Sequence, residues 1–321
     1  MEDEDKSGTK YFPKNNLNKR YNKFFILWLL ATLILSLAVF YIIIVGVGLY
    51  FLGWRMNFVK RTARVIPYPA AWVNIFPILF GEVFKEEAHT MRFYQQTASS
   101  LPQEKVLEKN TLELLVKYKL LQKLSSEYHL SVSPSELRDT LKKLYEENGG
   151  QKSFEEILYQ FYGYTPSEIN NLVYLSLMQG KLTSYFEDNI LKKVHLAHIL
   201  VEDEGKAKKI FERAKKEDFS KLAKEFSKDK DTKDKGGDLG FFAYEDLGEV
   251  IVKGESLDRK LYSDFRKKIW SAKDSDIFLF HTDRGWQIIK VLGFKGTEEK
   301  NLDEWFQDKV KKTKIWYLVK Y

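Results

Sequence analysis

From Phe24 to Gly53 the sequence reads FFILWLLATLILSLAVFYIIIVGVGLYFLG, thirty residues without a charge. A helix facing water needs a polar side, and this stretch has none. About 20 apolar residues cross the hydrocarbon core of a bilayer, so the run can span it with tilt or continue into the interface. A cleavable leader would have a shorter apolar region and a small-residue processing site. The GWRMNF that follows offers no such site. The expectation is an uncleaved transmembrane signal anchor over residues 24–54 that contacts the lipid bilayer. Lys6, Lys10, Lys14, Lys19, Arg20 and Lys23 precede the span, and Arg55, Lys60, Arg61 and Arg64 follow it. Under the positive-inside rule this excess places the N-terminus in the cytoplasm and the C-terminal bulk outside it, in a single-pass cell-membrane protein.

The 321-residue chain as a whole has the make-up of folded protein, with 30% charged and 15% aromatic residues. Its net charge is +7, yet 42 of the 52 basic residues are lysines interleaved with Asp and Glu. That pattern covers a solvated surface, whereas a nucleic-acid groove concentrates arginine on one face, so no nucleic-acid partner is expected. Cysteine is absent, which excludes disulfides, thiolate metal sites and a cysteine nucleophile. His89, His129, His195 and His281 lack metal-ligand spacing, and neither metal nor cofactor is expected.

Punctuation along the chain divides it. Residues 1–23 form a polar tail. Residues 55–83 are a linker holding Pro67, Pro69 and Pro77, with an extended segment at 70–75 and a helix beginning near Gly81. A helical lobe over 84–190 is marked by three repeats of one signal: Ser133 with Glu136, Ser153 with Glu156, and Thr165 with Glu168. In each, the hydroxyl can accept from the third helical N–H while the glutamate reaches back to the cap's own N–H. At Val194 the period changes. VHLAHILV has strand character, two short amphipathic helices follow, and DIFLF and WQIIKVL flank a turn at HTDRG. These elements make an α+β domain over 194–295. Asn301 and Glu304 then open a C-terminal helix over 300–321 whose Trp305, Phe306 and Trp316 are expected to dock on the helical lobe.

Within the α+β region, Gly236, Gly237 and Gly240 fall in five positions, which marks a tight turn or a close approach of backbone to backbone. On residue type alone, His198 reads as well as a core histidine, Asp229 as a solvated loop residue, Thr282 as a turn residue, and Phe265 and Trp270 as packing residues. The motifs AHILV (197–201), DFSKLAKEFSKD (218–229), GGDLGFF (236–242), DFRKKIW (264–270) and HTDRGWQIIKV (281–291) stand in an order and spacing that resembles parvulin-type (PpiC) peptidyl-prolyl isomerases. The helical region, by its helix pattern, is similar to the chaperone module of SurA/PrsA/PpiD-type foldases, some of which also carry a membrane anchor.

The resemblance implies an N-terminal transmembrane helix, a helical SurA-N-like lobe and a parvulin-like domain that rotates X–Pro peptide bonds in unfolded or proline-containing polypeptide clients. It implies a polar network of His198, Asp229, Thr282 and Gln287, and a prolyl-ring pocket lined by Leu261, Phe265 and Trp270. Gln287 stands where the family has its second histidine. Glutamine can still donate and accept hydrogen bonds but has no titrating ring. Three functions stay open: an isomerase and foldase for exported proteins, a catalytically silent membrane-tethered holdase, and a static scaffold within a membrane complex.

Overall fold

A computed structural model describes residues 17–97, 100–250 and 259–318. The order is α1 (Leu17–Phe51), α2 (Asn57–Val65), β1 (Pro69–Val73), β2 (Phe76–Leu79), α3 (Phe80–Gln96), α4 (Glu104–Glu127), α5 (Pro134–Glu147), α6 (Gln151–Tyr162) and α7 (Pro166–Tyr185). It continues with β3 (Lys193–Val201), α8 (Glu204–Ala214), α9 (Phe219–Phe226), β4 (Asp238–Phe242), α10 (Arg259–Trp270), β5 (Ile277–Thr282), β6 (Gly285–Lys295), α11 (Leu302–Lys312) and β7 (Ile315–Tyr317). The chain forms two compact units, and α4 runs from one into the other. The helical region of 84–190 is shared between them. The expected tail lies mostly outside the described residues, as does part of the segment 245–260.

The first unit gathers residues 1–116, 161–163 and 315–321. Lys23–Phe51 of α1, with mean hydropathy 2.7, is one helix long and apolar enough to cross a membrane. Its far end is packed against protein: Val45 and Leu49 are buried, as are Val59 and Ala63 of α2. β1, β2 and β7 make a small antiparallel sheet in the order β2-β1-β7. The sequence shows the extended β1 but not the β2 hairpin, because Pro77 argues against a strand interior; here Asn74 takes a positive φ of 54° in the turn and Pro77 pairs with Trp72. The expected C-terminal helix stops at Lys312. The Thr313 N–H and hydroxyl both bond the Lys309 carbonyl, and the β-branched and aromatic Ile315-Trp316-Tyr317 pairs with β1 instead. Trp316 therefore sits on a strand of the first unit.

The second unit holds the remaining helices and the α+β domain. Two of the three helix-start signals form as expected. The Ser133 N–H donates to Glu136 at 2.7 Å and the Thr165 N–H to Glu168 at 2.6 Å, while each hydroxyl accepts from the glutamate's backbone N–H. Ser153 does not cap. Gly149 and Gly150, both at positive φ, end α5, and the chain re-enters helix at Gln151, with Phe154 bonding the Gly150 carbonyl; Ser153 is already inside the first turn. Trp305 of α11, 4% exposed, packs with Leu120, Leu124, Leu175 and Met178, its ring 5.1 Å from that of Phe186.

In the α+β domain the four-stranded antiparallel sheet has the order β4-β3-β6-β5. Alternation along β3 decides what each face carries. Ala197, Ile199 and Val201 meet Ala207 and Ile210 of α8 and Phe219 and Leu222 of α9. Val194 and Leu196 meet Phe265 and Ile269 of α10, together with Phe280, Ile289 and Val291. The fold class is the one the sequence implies.

Candidate active site

His198 lies at the centre of β3, opposite Ile289 of β6, and points to the α10 face with no exposed surface. Such burial requires partners for both ring nitrogens. Nδ1 is 3.0 Å from the Gln287 side-chain oxygen, and Nε2 is 2.7 Å from Asp229 and 3.0 Å from the Thr232 hydroxyl. The Gln287 amide N–H donates to Thr282 Oγ1 at 3.2 Å and makes a long 3.5 Å contact to the Val250 carbonyl. With its N–H so engaged, the Gln287 oxygen accepts from Nδ1–H of His198. The Thr282 hydroxyl donates to the Gly285 carbonyl at 2.9 Å and accepts from the Arg284 N–H at 3.3 Å. The chain of donors and acceptors thus runs from His198 through Gln287 and Thr282 to the Gly285 carbonyl without a second imidazole.

Asp229 is buried and receives Arg284 on the same oxygen, Oδ2, at 3.2 Å, while Oδ1 accepts the Asp231 N–H at 3.1 Å. Burial alone raises its pKa. The Asp231 N–H and the charges of His198 and Arg284 outweigh that effect and hold it below the ordinary aspartate value. The carboxylate therefore stays ionised in a water-poor setting, paired with His198 and Arg284.

The glycines explain how the loop reaches the strand. Gly237 has φ +82°, a Cβ there would overlap the His198 carbonyl oxygen, and the His198 N–H donates to the Gly237 carbonyl at 2.8 Å. The turn is thus pressed against the strand that holds the histidine, and Asp229 and Thr232, just upstream, fall beside the ring.

The four polar residues singled out by sequence come together. Phe265 shares their face of the sheet, but it is fully buried: Leu247 and Val250, from the short 3-10 turn Asp246–Val250, belong to the same packed cluster. Leu261 and Trp270 pack at the margin of that cluster. The Trp270 indole donates to Glu299 at 3.1 Å, and Lys192 stands 4.6 Å over its ring, beside a 450 Å³ cavity lined with Tyr244 and Lys267. Thr232, Arg284 and Leu247 were not anticipated. Thr232 is the lone threonine in the charged loop SKDKDTKDK, and Leu247 is the first leucine after the GFF strand; these are the signals that point to those two.

A buried histidine at the heart of a four-stranded antiparallel sheet, tied to an acid on the loop before a glycine turn and covered by helices on both faces, defines a parvulin-type isomerase domain. Residues 181–295 match the PPIC-type PPIase domain, and residues 16–183 match the SurA-like N-terminal domain. The chain belongs to the family of proteins with a SurA-like N-terminal domain, here joined to a PPIC-type domain. The foldase protein PrsA of Geobacillus kaustophilus is 37% identical over 118 residues, covering 36% of this chain and 37% of that one. That alignment spans little more than a third of the relative's length. The foldase protein PrsA of Clostridium botulinum strain 657 is 28% identical over 265 residues, 75% of this chain and 74% of that one. Among solved structures, the peptidylprolyl isomerase PrsA from Bacillus anthracis is matched at 24% identity and a TM-score of 0.27, covering 62% of this chain and 85% of that one.

Proposed function

We propose that this chain is a membrane-anchored foldase for exported proteins, single-pass with its N-terminus in the cytoplasm, whose PPIC-type domain isomerises X–Pro bonds in unfolded clients. The observation that carries the reading is the network of Asp229, Thr232, Gln287 and Thr282 centred on the buried His198. Amide rotation has a barrier of about 18–20 kcal/mol, because resonance must be broken, and it needs no nucleophile. In the twisted amide the carbonyl oxygen loses negative charge. A fixed carboxylate near that oxygen therefore disfavours the planar state more than the twisted one, and most strongly where water is excluded. Asp229 supplies the charge. His198, Gln287 and Thr282 position it, and Leu261, Phe265 and Trp270 form the apolar bed for the prolyl ring.

A silent holdase is the second reading, favoured by the cover of Leu247 and Val250 over Phe265. A protease-coupled assay on proline tetrapeptides, using the full chain in detergent, separates the two. The isomerase reading expects catalysis that falls about tenfold or more in H198A as Asp229 loses its position. Equal, background-level rates for both proteins would leave the holdase. Leu247→Ala adds a direction: a faster variant means that the leucine blocks the bed, and a slower one that it helps to line it.

A further inference from the structure

The helix that follows the apolar span folds back along it. Tyr41 of α1 hydrogen-bonds Thr62 of α2 at 2.7 Å, and Tyr68 donates to the carbonyl of Ile42 at 2.6 Å. At about 1.5 Å per residue, roughly 20 residues cross a hydrocarbon core of about 30 Å. Counted from Phe24, that length ends at Ile43. Thr62 and Tyr68 are therefore bonded to the span at the level where hydrocarbon gives way to headgroups, and the C-terminal half of α2 lies at that depth.

What α2 presents there is specific. Val59 and Ala63 are buried in the unit, while Phe58, Arg61, Arg64 and Val65 are exposed, Val65 at 80%. The other two basic residues of this region are committed inward: Arg55 pairs with Glu108 at 2.5 Å, and Lys60 stands 5.5 Å over the Phe84 ring. Arg61 and Arg64 have no ion pair among the described residues. An exposed face of two arginines, a phenylalanine and a valine that reaches headgroup depth at its C-terminal end has the make-up of a helix end that meets a lipid surface.

We propose that the C-terminal end of α2 is a lipid-contact surface whose Arg61 and Arg64 bind the phosphates of anionic phospholipids while Val65 enters the boundary of headgroups and acyl chains. This rests on the reading of α1 as a membrane span. The surface holds the first unit against the bilayer instead of leaving it to swing on its anchor.

The absence of cysteine makes the test direct. Leu35→Cys and Val65→Cys, each introduced into the full chain, are labelled with a polarity-sensitive fluorophore and reconstituted into nanodiscs of phosphatidylcholine, with or without phosphatidylglycerol. Acrylamide, a neutral aqueous quencher, reads exposure. The Leu35 label should be shielded in both compositions. The Val65 label should be shielded with phosphatidylglycerol and open without it, and R61Q/R64Q should reopen it, with the docked-to-free ratio falling roughly fivefold per arginine. A shielded Leu35 label beside a Val65 label that ignores lipid charge, or that R61Q/R64Q leaves unchanged, overturns the lipid contact alone. An open Leu35 label overturns the membrane span, and this proposal with it.

Discussion

Gln287 is buried with every polar atom engaged, so replacing it tests the network more sharply than replacing a surface group. Gln287→Leu strands the Nδ1 proton of His198 and alters the bonds of Thr282; each buried group left unpaired costs about 1–3 kcal/mol. The expected loss is about 2–4 kcal/mol for the α+β domain, read by urea unfolding. Gly237→Ala should cost a comparable amount through its positive φ and the overlap with the His198 carbonyl. Asp229 gives the pH sign. Its folded pKa lies below the unfolded one, so on acidification the unfolded chain takes up the proton first. The stabilisation is complete above the ordinary carboxylate range and disappears as pH falls through the folded value. Asp229→Asn should flatten that acid limb in a stability-versus-pH series. His198, Asp229, Thr282 and Gln287 were legible because their motifs come in order. Thr232 was hidden, since a hydroxyl among seven charged residues looks solvated until the glycine turn presses its loop against β3.

Among the elements, α3 carries an uncommon feature. Glu87 is buried on it, and its pKa is pushed up to about 7, first by burial and then by Glu108 and Glu104, with Lys60 and Arg55 opposing. A carboxyl whose folded pKa exceeds its unfolded value of 4.5 holds a proton that the unfolded chain has released, so the unit loses stability as pH rises from 4.5 to about 7. Glu87→Gln should therefore be more stable than the parent at pH 8, on the order of 2 kcal/mol, and equal to it near pH 4. Matched thermal melts at the two pH values check this. Helix starts at Ser133 and Thr165 could be read from sequence because Pro follows each at the first helical position. Ser153 has the same hydroxyl–glutamate spacing without the proline, and the preceding glycine pair starts the helix earlier. β2 and β7 escaped because short strands in small sheets are decided by what pairs with them, not by their own period.

For the molecule as a whole, the long apolar run, the helical stretch and the change of period at Val194 foretell the classes of element that follow one another along the chain. The division into compact units could not be read from linear order, since the first unit takes residues 161–163 and 315–321 from far along the chain. Its sheet needs β7: Ala71 pairs with Tyr317 and Val73 with Ile315. Deleting residues from Ile315 onward should leave β1 as an open edge and make the full-length remainder prone to self-association, which light scattering in detergent would detect. During synthesis β1 emerges soon after the apolar helix α1, yet its second neighbour, β7, is made some 240 residues later. At about 5–20 residues per second that is a delay of roughly 12 to 50 seconds. Throughout that interval the nascent protein holds one strand with an unpaired edge, and the ring of chain that defines its first unit shuts only when Ile315–Tyr317 arrives.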